Sequence, residues 1–152
     1  MIFQTICLCF KNCRIVKITN LNSDLVDMPG YGYAAAAKSK IGAGTDLIHA
    51  YLRGRANLAR IYVLVDARHG LKDADDPMFD TLGQAAVSHQ IVLTKCDTVK
   101  PAELGQRIMQ VEAALAKRPG AFPGILKTSA HDGAGIPELR AAIARLLAER
   151  KR

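Results

Sequence analysis

Tryptophan is missing from this chain, and tyrosine and phenylalanine contribute four residues each. A surface that stacks successive bases of single-stranded nucleic acid therefore has little to be made from. Paired C-x2-C spacing is missing too: Cys7, Cys9 and Cys13 crowd the N-terminus and Cys96 stands far away. Zinc sets built on paired thiolates are not expected, and the thiols read as those of a reducing compartment. No apolar run is long enough to span a bilayer; the opening MIFQTICLCF stops after ten residues, about half the length required. Its first basic residue, Lys11, follows the apolar stretch, the reverse of a secretory leader. A cytoplasmic protein without membrane attachment is expected. The last absence concerns phosphate. Of twelve glycines none is followed by lysine, so the G-x4-G-K-[ST] loop whose backbone N–H groups cradle phosphates is not in the sequence.

What is present suits one globular domain. The 152 residues are 49% apolar and 23% charged, enough to bury a core without disulfides. The formal net charge of +7 favours a polyanionic partner through steering and counterion release.

From Leu25 onward short apolar runs alternate with helical periods. RIYVLVDA (60–67), HQIVLTK (89–95) and GILKTSA (124–130) read as buried strands. TDLIHAYLRG (45–54) reads as a helix entered at Thr45 with Leu47, Ile48, Tyr51 and Leu52 on one face. DADDPMFDTLGQAAV (73–87) puts acids at a helix entrance and a buried stripe at Met78, Phe79, Leu82 and Ala86. A helix starting at Pro101 carries Leu104, Ile108, Val111 and Leu115, and a last one from Ile136 carries Leu139, Ile143, Leu146 and Leu147. Strands apolar on both faces, alternating with helices, predict an α/β domain: a doubly wound, mostly parallel sheet with helices on both faces.

Ligands of such sheets bind outside the carboxyl ends of the strands. The residues there are Asp27-Met28-Pro29-Gly30, Asp66 to Gly70, Thr94-Lys95-Cys96-Asp97 and Thr128-Ser129-Ala130. A carboxylate such as Asp97 can accept two hydrogen bonds side by side from the N1–H and exocyclic amine of guanine, a pair adenine does not offer. The Lys95 stem can cover the base face with methylenes, and backbone N–H groups of Thr128, Ser129 and Ala130 can meet the guanine carbonyl. Asp27 reads as a carboxylate that holds a magnesium ion through water, with Gly30 bringing its N–H to a terminal phosphate. Each motif alone could be an ordinary solvated turn; their order along successive strand ends is what argues for one site.

With those residues in view, the sequence resembles the EngB family (also called YihA or YsxC) of bacterial P-loop GTPases of the TRAFAC class, through DMPGYGYA, VLVDARHGLKDAD, VLTKCD and TSAHDGAGIPELRAAIARLL. The resemblance runs from Leu25 to the C-terminus. It implies a P-loop GTPase-like G domain at residues 25–152 that binds GTP or GDP with Mg2+, assists assembly of the large ribosomal subunit on rRNA, is linked to division septum formation, and acts as a monomer. Asp27, Met28, Pro29 and Gly30 match the family's switch II nucleotide contact, Thr94 to Asp97 its guanine-reading motif, and Thr128 to Ala130 its third contact. Tyr31 stands where many small GTPases keep a water-orienting glutamine, so slow hydrolysis is expected. Residues 1–24 then replace the family's P-loop and switch I region, through a late gene start or a damaged gene. GTP binding impaired by loss of the phosphate cradle is expected, and so is a chain inactive or very slow as a hydrolase.

Two other readings stand beside this one. The first is a nucleotide-free remnant docking on RNA or the ribosome through Lys38, Lys40, Arg53, Arg55, Arg68, Lys72 and the Arg150-Lys151-Arg152 tail. The weaker second is an RNA-modifying or dinucleotide enzyme, which lacks any G-x-G-x-x-G after a first strand. His69 reads as a turn residue and not as a general base.

Overall fold

Branched apolar runs build six strands: β1 (Gln4–Cys9), β2 (Ile15–Ile18), β3 (Ser23–Met28), β4 (Leu58–Asp66), β5 (His89–Thr94) and β6 (Leu126–Lys127). The computed structural model describes residues 4–9, 15–18, 23–28, 52 and 58–150. The strands form one sheet in the order β2-β3-β1-β4-β5-β6. β2 runs antiparallel to β3 and every other neighbouring pair is parallel. Thus the stretch before Leu25 supplies two strands, and β1 lies at the centre of the sheet.

Beyond β4 the described residues form the helices α1 (Asp76–Gln84), α2 (Pro101–Leu115) and α3 (Ile136–Glu149). Each carries proline in its first turn, where the missing N–H has no intrahelical partner to lose and φ is already helical. Alternate residues of the central strands face opposite sides, and both sides are covered. Ile61, Val63, Val65, Ile91 and Leu93 pack with Met78, Phe79 and Leu82 of α1 and Val111 and Leu115 of α2. Ala59, Tyr62 and Val92 pack with Leu146 and Leu147 of α3. The sheet expected from the sequence is therefore found, helices on both faces included.

Two local expectations change. Ala86 is not part of the buried stripe of α1: the helix ends at Gln84, and Ala86 is exposed with φ of 51°. GILKTSA shortens to a two-residue strand at the sheet edge, with Lys127 exposed. An edge strand has one neighbour to pair with, so apolar content alone overstates its length. Of the helix expected at 45–54, Leu52 is described and buried; Leu47, Ile48 and Tyr51 lie outside the described residues.

Candidate functional site

Parallel strands end together, so polar residues at their tips gather on one rim. In β4 and β5, Asp66 pairs with Thr94; in β5 and β6, Leu93 pairs with Lys127. On the other side of β1, Asp27 is the penultimate residue of β3, opposite Leu8. Asp27, Asp66, Thr94 and Thr128 therefore all stand at or just past carboxyl ends. Asp27 and Met28 are placed by their backbone alone, and Pro29, Gly30 and Tyr31 lie outside the described residues.

Hydroxyls tie the rim together. Thr94 Oγ1 donates to the Val65 carbonyl at 3.3 Å and Thr128 Oγ1 to the Leu93 carbonyl at 2.9 Å, so each of these strand ends is stitched to its neighbour beyond the ladder. Lys95 then turns the chain in the left-handed region, φ 58° and ψ 36°, and a short 3-10 turn, Cys96–Thr98, presents Asp97. The Thr98 hydroxyl closes that turn on the Lys95 carbonyl at 2.7 Å. The Cys96 N–H donates to the Thr128 carbonyl at 3.2 Å, which joins the Asp97 turn to the loop after β6. Burial pushes the Cys96 thiol up, which keeps it protonated and a poor nucleophile.

The loop after β6 is built around Ser129, which is 1% exposed. Its Oγ accepts from the N–H groups of His131 and Asp132 at 3.2 and 3.4 Å. Gly135 closes the loop with φ of 73°, and a Cβ there would collide with the Lys127 carbonyl oxygen. Only glycine fits both demands.

The spending of N–H groups decides what this rim can offer. Thr128 N–H donates to Leu93 at 2.7 Å and Ser129 N–H to Ala134 at 2.9 Å. Of the three groups considered from the sequence, two are thus committed internally, and Ala130, which is exposed, keeps its N–H unpaired among the described residues. The Asp97 carboxylate is also exposed and makes no hydrogen bond or ion pair among the described residues. One free carboxylate and one free N–H stand on two loops bonded to each other. Together they leave an acceptor pair and a donor available on this rim.

A charged cluster borders them. Arg68 grips Asp66 with Nε 2.9 Å from Oδ1 and Nη2 2.6 Å from Oδ2, and its own N–H donates to Oδ1 at 3.0 Å. Lys95 Nζ donates to Asp66 Oδ2 at 3.0 Å. The Arg68 guanidinium, with Lys95 assisting, holds the Asp66 carboxyl well below the usual carboxylate range. Sequence reasoning assigned no role to Asp66, although D-x-R at a strand tip is the spacing that lets the arginine fold back on the carboxylate. His69 is exposed and its backbone N–H donates to the Asp66 carbonyl at 3.0 Å, a turn contact. Among the described residues no three metal-ligating side chains come together.

No protein-family model matches the chain. Over 132 residues, 87% of the chain, it is 62% identical to a "probable GTP-binding protein EngB" of Rhodopseudomonas palustris (strain TIE-1), of which it covers 61%. Over 126 residues it is 63% identical to the protein of the same name in Bradyrhizobium diazoefficiens, covering 58% of it. The chain thus spans about three fifths of the length of these relatives. Its fold matches a crystal structure of a "probable GTP-binding protein engB" with a TM-score of 0.72 at 17% identity, over 95% of this chain and 99% of that one.

Proposed function

Since the chain belongs to the EngB family of GTP-binding proteins over the 132 residues it shares with its relatives, we propose that its carboxyl rim binds guanine nucleotides, GTP and GDP. The observation that carries this reading is the pairing of two unspent groups. The Asp97 carboxylate would accept from guanine N1–H and the exocyclic amine, the Ala130 N–H would donate to the guanine carbonyl, and the Cys96–Thr128 hydrogen bond keeps their loops in step. The Lys95 methylenes would lie against the base. Thr94 and Thr128 serve by holding the strand ends, and buried Ser129 by shaping the loop that presents Ala130.

Affinity for the phosphates is the weak side of the proposed site. Five residues separate Cys9 at the end of β1 from Ile15 at the start of β2, too few for an eight-residue G-x4-G-K-[ST] loop. In this reading Asp27 would hold Mg2+ through water, with Met28, Pro29 and Gly30 beside the terminal phosphate. The metal would supply charge neutralisation at the phosphates. Guanine recognition then dominates binding, and hydrolysis is slow or absent. A role in large ribosomal subunit assembly and septation, in the cytoplasm and as a monomer, is the wider activity we propose from family membership; the net charge of +7 suits an rRNA partner.

Titration of the chain with GDP and ADP tests the base assignment. GDP should bind at least tenfold better than ADP, and Asp97→Asn should remove most of that preference, in line with the loss of a bidentate, charge-assisted contact. Equal affinity for the two nucleotides in the unaltered chain would sink the assignment.

A second reading draws on the exposed arginines Arg140 and Arg145 of α3 together with the net charge: a nucleotide-free module that docks on ribosomal RNA. RNA binding that weakens steeply with salt and ignores added GDP would favour it.

A further inference from the structure

The Asp66 cluster has a direction built into it. Its carboxylate is fixed without any help from Lys95. Arg68 supplies four of its hydrogen bonds, from Nε to both oxygens, from Nη2 and from the backbone N–H. The Arg68 carbonyl in turn accepts from Arg107 Nη2 of α2 at 3.3 Å. Lys95 has no such support. Its side chain is 55% exposed against 24% for Asp66, and its Nζ has one partner among the described residues, Asp66 Oδ2. A lysine stem with that exposure samples many rotamers unless its ammonium is held. Here the hold comes from the neighbouring strand: Asp66 pairs in register with Thr94, the residue before Lys95. The stem is therefore drawn along the carboxyl rim from β5 towards β4, beside the turn that presents Asp97.

We propose that Asp66 is a positioning residue for guanine recognition, its carboxylate holding the Lys95 ammonium so that the lysine stem is laid out in advance as the floor on which the base rests. The inference depends on the rim binding guanine nucleotides, as proposed above. Asp66 touches no base. It removes rotamer freedom from the residue that does, so that less is lost when the ligand arrives. The Arg68 guanidinium also holds this carboxyl well below the usual carboxylate range, which keeps it ionised at neutral pH as a partner for the ammonium.

Two readouts on the full chain test this. The first needs no ligand: acylation of lysines by an N-hydroxysuccinimide ester, followed by peptide mass spectrometry. Asp66→Asn should speed labelling of Lys95 about threefold relative to Lys100 and Lys127, in keeping with the modest strength of partly exposed ion pairs. The second is GDP affinity. Asp66→Asn should weaken it about three- to fivefold while leaving the ratio of GDP to IDP affinity unchanged, because the exocyclic amine is read by Asp97. Lys95→Met should produce a loss by itself with the Asp66–Arg68 pair intact, and adding Asp66→Asn to it should cost nothing more. Asp66→Glu should restore part of the affinity. Asp66→Asn losses that persist undiminished in the Lys95→Met background, or GDP affinity indifferent to Asp66→Asn, would overturn the positioning role alone. Failure of the unaltered chain to prefer guanine would instead overturn the functional reading and this inference with it.

Discussion

A buried histidine has to choose between its charge and its place. His89, at the start of β5, is 0% exposed, with Nδ1 3.3 Å from the Val87 carbonyl, its ring tilted against Phe79 at 5.4 Å, and Nε2 unpartnered among the described residues. Burial, with Arg118 nearby, pushes its pKa below the ordinary value of 6.5. The sign follows from linkage. Well above pH 6.5 neither folded nor unfolded chain holds the proton, and the residue adds no pH dependence. As pH falls below 6.5 the unfolded chain takes up a proton that the folded chain resists, so stability drops. Chemical denaturation at a series of pH values from 7.5 to 5 should show this slope, and His89→Gln should flatten it. An unchanged slope in the variant would assign the acid sensitivity elsewhere. At this scale the sequence is only half legible. Asp97 and Ala130 can be picked out from TKCD and TSA, but which N–H groups are spent inside the protein depends on hydrogen bonds such as Ser129 to Ala134 that no motif writes down. The Asp66–Lys95 pair joins residues 29 apart in sequence, and becomes visible only once β4 and β5 are in register.

At the scale of elements, periodicity located the helices better than it located their ends. Met78, Phe79 and Leu82 are buried as their spacing requires, and the same spacing would carry α1 on through Ala86. The chain instead leaves the helix in a left-handed turn, with the Ala86 N–H donating to the Gly83 carbonyl at 3.1 Å. Nothing in an apolar stripe signals that turn, because the residue that takes the left-handed position is not glycine. Alanine pays there a steric cost that glycine avoids. Ala86→Gly should therefore stabilise the fold by about 0.5–1 kcal/mol, raising the denaturant midpoint with the slope unchanged. A lower midpoint would mean that the extra freedom of glycine in the unfolded chain outweighs the relieved strain. The same reasoning explains why GILKTSA looked longer than it is: an edge strand shares one ladder, and beyond Lys127 the chain is claimed by the Thr128 and Ser129 hydrogen bonds that shape the loop.

For the whole molecule, the sheet order was readable in class but not in detail. Alternating apolar runs announce a parallel sheet covered on two sides. They do not say that β1 takes the central place between β3 and β4, since that is decided by crossover handedness and by which tips must meet. With β1 there, the rim has one flank from Asp66 to Ala130, for which base reading is proposed, and, across β1, the flank that ends in Asp27 and Met28. Between Cys9 and Ile15 the chain has five residues, fewer than the eight of a G-x4-G-K-[ST] loop, the amide cradle on which triphosphate affinity usually rests. Guanosine, GMP, GDP and GTP should accordingly bind this chain with affinities within about tenfold of one another, with little gain from Mg2+. Calorimetric titration of the series checks it; a tenfold gain for each added phosphate would show that phosphates are held by other means.

The bond from the Cys96 amide to the Thr128 carbonyl also governs how the rim can yield. If the rim binds a purine as proposed, a base too bulky for the gap would have to displace the Asp97 turn and the neighbouring loop together. The two would then yield as a plate, and rejection of a misfit would be a matter of stiffness as much as of missing hydrogen bonds.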